Sequence, residues 1–258
     1  MNKLERQENL VKVLQESTVK SVSELSTKLG ASMMTIRRDL DLLEQQGILQ
    51  KIHGGAVILQ KGTDESSIAQ PSFQQRMNEF RDYKDKIGRE AAKHIRNEDV
   101  VFFDAGTTTL AMTTHIPDNI EFTAITTGLI TAVSLCNLKN ANVITIGGGA
   151  HNSSYSSVNH MAIEMIKQLS ANTAFISTKA LVCSSGTFEG TLPLIEVKRA
   201  IVRSSERVIL LADHSKFGAK SLSESIAIEN IDLVITDELA PREMVDELRK
   251  HTEVIVVT

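Results

Sequence analysis

From Lys84 to Val257 short apolar runs alternate with segments of helical spacing, and this alternation narrows the folds open to the chain more than any other feature. The runs Val100–Phe103, Phe122–Thr126, Asn142–Ile146, Thr173–Ser177, Val208–Ala212, Ile231–Ile235 and Val254–Val257 read as strands. Between or before them, Lys84–Ile95, Thr109–His115, Leu129–Leu138, His160–Leu169, Leu192–Ser205 and Pro241–Lys250 read as helices. Strands that are apolar throughout must be covered on both faces, which helices returning between parallel strands accomplish. The expected class is therefore α/β, with a mostly parallel sheet.

Polar residues cluster just after these strands. Asp104 with Gly106-Thr107-Thr108-Thr109, then Thr126-Thr127-Gly128, Gly147-Gly148-Gly149, Ser177-Thr178-Lys179 and Asp213-His214-Ser215-Lys216 each follow a strand end. In a parallel sheet those ends share one edge, where ligands bind. Glycines let backbone N–H groups approach a phosphate, hydroxyls add donors, and a helix starting at Thr109 would offer its positive end. Lys198 and Lys216 could add charge, although Lys198 sits beside Arg199 on a helix, where a solvated face is the default. No single loop is diagnostic: Gly147-Gly148-Gly149 is neither a dinucleotide fingerprint nor a Walker loop. Five loops converging on one edge favour a site over five unrelated turns.

Val19 to Val57 has a different grammar. Ser21-Val22-Ser23-Glu24 is a capping box that opens a helix. Val22, Leu25 and Leu29 form its apolar face, Gly30 stops it, and Ser32 can cap the next helix within two residues. In that second helix Met33, Ile36, Leu40 and Leu43 form the expected inward stripe, while Met34 and Arg38 point away and Thr35 and Arg37 flank them. Beyond Gly47 the pattern alternates toward Gly54-Gly55, which suits a hairpin. Two helices joined by a tight turn and followed by a hairpin make a winged helix-turn-helix. The DNA-facing groups are then Ser32, Met34, Thr35, Arg37 and Arg38 on the helix, with Lys51, His53 and Gly54 on the wing.

Thr35-Ile36-Arg37-Arg38-Asp39-Leu40, Leu43, Gly47 and His53-Gly54-Gly55-Ala56 resemble the N-terminal domain of the DeoR family of bacterial transcription regulators. The similarity continues through Asp104-Ala105-Gly106-Thr107-Thr108, Gly147-Gly148-Gly149, Val197-Lys198-Arg199-Ala200 and Leu211-Ala212-Asp213-His214-Ser215-Lys216-Phe217, so it spans nearly the whole chain. It implies a C-terminal sensor domain resembling the sugar-phosphate isomerase fold, which binds a phosphorylated sugar through its Asp-x-Gly-Thr-Thr loop, Gly-Gly turn and Lys positions. The effector-binding set is Asp104, Gly106, Thr107, Thr108, Thr126, Thr127, Gly148, Gly149, Lys179, Lys198, Asp213 and Lys216. Thr126-Thr127 stands where the family usually has Thr-Asn, and Phe175-Ile176-Ser177-Thr178-Lys179-Ala180 replaces a glycine-bearing pattern. Both departures fall where a sugar would sit.

Between Ile58 and Phe73 periodicity is lost, and Gln60-Lys61-Gly62-Thr63-Asp64-Glu65-Ser66-Ser67 is small and polar. The expected division is a DNA-binding domain over 1–58 (helix-turn-helix at about 20–39), a linker over 59–74 and a sensor over 75–258. Net charge is −4, but the segment through Val57 carries 8 basic against 7 acidic residues and the remainder 20 against 25. A reader domain this weakly charged needs well-placed cations and more than one copy per operator, so a homo-oligomer, dimer or tetramer, is expected on double-stranded DNA. No apolar run reaches membrane-span length and no signal-peptide core follows Met1, which points to the cytosol. Cys136 and Cys183 form no disulfide framework; His151 and His160 have no ligand-spaced partners, so neither metal nor cofactor is expected.

Three functions compete. A ligand-responsive DNA-binding regulator, commonly a repressor in the family, uses every feature. A sugar-phosphate isomerase-like enzyme, with Asp104, Glu189, Glu196 or Asp213 as general base, leaves the DNA reader without purpose. A DNA-binding architectural or adaptor protein whose second domain only oligomerises leaves the polar edge without one.

Overall fold

The structure, a computed structural model, describes residues 3–15, 20–45, 49–52, 55–58 and 71–258. The chain forms two compact units, Met1–Arg76 and Met77–Thr258.

In the first unit, helix α1 (Lys3–Gln15), strand β1 (Lys20–Ser21), helices α2 (Val22–Leu29) and α3 (Met33–Gln45), and strands β2 (Leu49–Ile52) and β3 (Gly55–Ile58) follow in order. The capping box at α2 is present: Glu24 N–H donates to Ser21 Oγ at 3.2 Å, and Ser21 N–H donates to Glu24 Oε2 at 2.8 Å. Gly30 ends α2 at φ 61°, a left-handed turn that an L side chain resists. Ser32 Oγ then accepts the Thr35 N–H at 3.2 Å. Leu10, Val13 and Leu14 from α1 join Leu25, Ile36, Leu40, Leu43, Leu49 and Ala56 in one core. Helix α1 is an addition to the sequence reading. Met33 departs from the inward stripe expected of it and is 52% exposed. It is the first residue of α3, where a helix overhangs its packing partners, so periodicity continues but burial does not. Strands β2 and β3 pair antiparallel with Ile52 opposite Gly55, and β1 adds to the far side of β3.

Helix α4 (Phe73–Asn78) follows, its first two residues falling within the span read as linker; of that span, 59–70 lies outside the described residues. The second unit then runs α5 (Arg81–Ala92), β4 (Val100–Phe103), α6 (Thr107–Met112), β5 (Phe122–Thr126), α7 (Leu129–Cys136), β6 (Ala141–Thr145), β7 (Gly149–His151), β8 (Ser156–Val158) and α8 (His160–Lys167). It continues with β9 (Ala171–Ser177), β10 (Ala180–Val182), β11 (Gly186–Glu189), α9 (Leu192–Arg203), β12 (Ser205–Leu211), β13 (Ser223–Ala227), β14 (Leu233–Asp237), α10 (Arg242–Leu248) and β15 (Glu253–Val257).

Seven strands form one sheet in the order β15-β14-β12-β9-β4-β5-β6, every pair parallel. Side chains alternate between its faces. Phe102, Ile125, Ala174, Ile176 and Leu210 pack toward Ala162 and Ile166 of α8 and Val197 and Ile201 of α9. Val101, Phe103, Ala124, Phe175 and Ile209 pack toward Ile87 and Ala91 of α5, Met112 of α6 and Leu135 of α7. The α/β class read from the sequence is the observed one. Two smaller antiparallel sheets, β10-β11-β13 and β7-β8, were not visible in the alternation. Their strands are only three to five residues long, too short to show a period of their own, and they pair outside the central layer.

Candidate functional site

On α3 the outward groups form a compact surface. Met34, Arg37 and Arg38 are exposed and Thr35 is half-buried, its hydroxyl 2.9 Å from Ser32 Oγ. Behind them Asp39 is buried and accepts from Arg6 Nε at 2.6 Å and Gln7 Nε2 at 3.2 Å, which pins α1 against α3. The arginines therefore project from a helix whose inner side is clamped, the geometry a helix needs to enter a major groove without deforming. Lys51 lies in β2. His53 and Gly54 lie outside the described residues.

The parallel sheet brings the strand-end loops of the second unit to one edge, and Asp104 is its organising group. Following β4, its Oδ2 accepts from Ser177 N–H at 3.1 Å, Ser177 Oγ at 2.6 Å and Lys198 Nζ at 2.8 Å. Lys198 also meets Glu189 Oε1 at 3.0 Å and donates to the Ser177 carbonyl. Glu189 Oε1 in turn accepts from Lys179 N–H at 3.2 Å. The side chains of Asp104 and Lys198 are each only 6% exposed. Burial pushes the Asp104 carboxyl toward protonation, but attraction to Lys198 and the bonds from Lys198 and Ser177 outweigh it, leaving its pKa below the ordinary carboxylate value. Burial likewise disfavours the charge on Lys198, yet Asp104 and Glu189 together hold its pKa above the ordinary lysine value. Lys198 is thus not on a solvated face. Its carboxylate partners stand 9 and 94 positions away in the chain, which local spacing on a helix does not reveal.

Around this cluster the backbone is tightly seated. A side chain at Gly106 would place its first carbon 1.8 Å from Ser177 Oγ, so only glycine lets the loop after β4 meet the end of β9. Helix α6 starts at Thr107, two residues before the start expected from the sequence, because Gly106 is its N-cap and the threonines already lie in its first turn. Thr107 is half-buried, while Thr108 and Thr109 are buried. Thr126 Oγ1 donates to the Phe103 carbonyl at 2.7 Å and accepts from Gly128 N–H at 3.0 Å. Next to it Thr127 is 2% exposed with a hydroxyl that has no hydrogen-bond partner among the described residues. The β7-β8 hairpin folds back on this loop, with Ser157 N–H donating to the Thr127 carbonyl at 2.8 Å. Gly148, at φ 146°, lies against the Val158 carbonyl, and Gly149 lies beside the Asn159 amide.

At the neighbouring strand ends Asp213 is fully buried; Oδ1 accepts from Ser215 N–H at 3.0 Å and Oδ2 has no hydrogen-bond partner among the described residues, with Lys216 Nζ 3.8 Å away. Lys179 is exposed and Lys216 half-buried. The sequence reading passes over Asp237, the last residue of β14. It is fully buried, with Oδ1 2.9 Å from His214 Nδ1 and Oδ2 accepting the His214 N–H at 2.9 Å. An apolar strand ending in Asp was the available signal.

Residues 6–62 match the DeoR-like helix-turn-helix domain and residues 79–238 the DeoR C terminal sensor domain. The chain is 33% identical to the HTH-type transcriptional regulator GolR of Listeria innocua, over 90% of each chain. It is 28% identical to a putative aga operon transcriptional repressor of Escherichia coli O157:H7, covering 98% of this chain and 93% of that one. Among solved structures, ribose 5-phosphate isomerase A from Methanocaldococcus jannaschii overlays with a TM-score of 0.40 at 14% identity, over 53% of this chain and 54% of that one. With a helix-turn-helix in one unit, a polar strand-end cluster in the other and family matches over both, the chain belongs to the DeoR family of DNA-binding transcription regulators.

Proposed function

We propose that this regulator represses a carbohydrate catabolic operon and that a phosphorylated sugar, bound at the carboxyl edge of the seven-stranded sheet, sets its affinity for operator DNA. The observation that carries the reading is the strand order, which gathers Asp104, Gly106, Thr127, Lys179, Asp213 and Lys216 onto one edge of the unit that matches a sensor domain. On this reading residues 1–58 read DNA, 59–74 connect and 75–258 sense. In the reader Ser32, Met34, Thr35, Arg37 and Arg38 approach the major groove, while Lys51, His53 and Gly54 form the wing contact. A homo-oligomer, dimer or tetramer, places two readers on paired half-sites.

The buried Lys198 has its donors committed within the fold, so its part is to hold the Asp104 loop and β9 in register. Phosphate contact falls to the more accessible Lys179 and Lys216, with backbone N–H groups at Gly106 and Gly148-Gly149. The enzyme reading is not favoured: Asp104 and Glu189 are tied to Lys198, and the relatives are named regulators and repressors.

The test is a gel-shift titration of the chain on its own upstream DNA with sugar phosphates added. Release from DNA by one of them, without turnover of that compound, is the expected result. Substituting Lys216 by Ala should leave DNA binding inducer-insensitive. Sustained conversion of the sugar phosphate would instead move the assignment to an enzyme.

A further inference from the structure

His214 is held by two strands at once. It follows β12, and its ring Nδ1 and backbone N–H both meet the buried Asp237 at the end of β14, each at 2.9 Å. Asp237 Oδ1 also accepts from Leu239 N–H at 3.0 Å. A carboxylate facing these donors fixes the proton on Nδ1, leaving Nε2 as an acceptor without a partner among the described residues. In the same turn Asp213 Oδ2, buried and without a hydrogen-bond partner among the described residues, lies 3.8 Å from the half-buried Lys216 ammonium and holds that cation beside the turn. An acceptor for a hydroxyl proton in the same turn as a cation for a phosphoryl oxygen matches the chemistry of a phosphorylated polyol.

The other side of the same ring touches the start of the sensor unit. Phe80 stands edge-on to His214 with ring centres 4.6 Å apart, and Tyr83 does so at 5.2 Å. Phe80 is the N-cap of α5, and its backbone sits at φ 54°, ψ 33°, a left-handed conformation that a bulky side chain adopts only under constraint. Its carbonyl accepts Lys84 N–H at 3.0 Å, so this residue sets where α5 begins. It is also among the first residues after the chain leaves the DNA-binding unit.

We propose that His214 is an effector-contacting residue through Nε2, and that its packing on Phe80 transmits occupancy of the site to the junction with the reader. The inference rests on the phosphosugar reading above. A ligand that alters the His214 ring alters the support of a strained residue, and a constrained backbone has an alternative conformation available when that support changes.

The experiment uses the full chain, calorimetric titration with ribose 5-phosphate, fructose 6-phosphate and glycerol 3-phosphate, and fluorescence anisotropy on the upstream DNA with and without each. His214→Asn keeps an N–H where Nδ1 meets Asp237 but lacks Nε2; it should lose about tenfold in affinity for the bound sugar phosphate while its melting temperature stays near wild type. Phe80→Gly suits the left-handed backbone and so folds, yet removes the ring; it should keep sugar-phosphate affinity and lose the effect of that compound on DNA affinity. Equal affinity in the wild type and His214→Asn overturns the effector contact, and intact coupling in Phe80→Gly overturns the relay. A wild-type chain that binds none of the three compounds overturns the phosphosugar reading and this inference with it.

Discussion

The two units each bury a carboxylate against a cation, and they do so for opposite ends. In the reader Asp39 draws Arg6 inward to fasten α1, which leaves Arg37 and Arg38 of the same helix out in water. In the sensor Asp104 draws Lys198 inward with Glu189, and the charge itself becomes part of the edge. A surface that meets a polyanion keeps its cations hydrated and mobile until phosphate replaces the water. A surface that recognises a small molecule holds its polar groups in place beforehand, because a loosely held group loses binding energy to ordering. The contrast is between cations that wait and cations that hold.

The sharpest break comes from Lys198→Met. It strands Asp104 and Glu189 without their shared cation, so the sensor should lose about 3–5 kcal/mol, on the order of 10 °C in melting temperature, while the reader's transition is unmoved. Calorimetry of the full chain resolves this; a shift shared equally by both units would erase the contrast between them.

The same cluster gives a pH signature whose sign follows from the two shifts. The folded pKa of Asp104 is lowered, so its contribution is complete above the ordinary carboxylate value of about 3.9 and is lost as pH falls through the lower folded value. That of Lys198 is raised, so its contribution is complete below about 10.4 and is lost as pH rises through the higher folded value. Wild-type sensor stability from these groups is therefore flat through neutrality. In Lys198→Met Asp104 lacks its cation and burial raises its pKa, so denaturation at descending pH should show stability recovering toward mild acid. A variant as flat as wild type would show that the cluster carries no buried charge.

On the reader side Arg37→Ala with Arg38→Ala should cost about 1–3 kcal/mol of DNA affinity for each base or phosphate bond removed and leave the melting curve in place. Unchanged binding in a gel shift would remove α3 as the reading helix. The smallest effect expected is Gly30→Ala. Nothing lies within 4 Å of the added carbon, so the backbone alone bears the left-handed strain at φ 61°, about 1 kcal/mol by urea titration.

What could be read from the sequence was local. The capping box at Ser21 and Glu24, the stop at Gly30 and the parallel α/β layer all rest on neighbouring residues or on period, and the structure has each of them. The strand-end loops follow from the same logic once the strands are parallel. Pairing across long stretches of chain was not legible. Lys198 reads as solvated because Asp104 is 94 residues away, and His214 reads as one polar residue among several because Asp237 lies 23 residues on. The strands β10, β11 and β13 escaped because segments of three to five residues carry too little period of their own and gain their strand character from partners.

The strand order also governs what happens during synthesis. Strand β9, the middle strand of seven, pairs with β4 across 72 residues, Val101 against Thr173. Until β9 has left the ribosome the sensor sheet lacks its centre, whereas every strand and helix of the reader has already emerged. For that interval the growing polypeptide holds its helix-turn-helix domain ahead of a completed sensor domain. A translation product truncated before Ala171 would keep this state permanently, as a DNA-binding fragment deaf to metabolites.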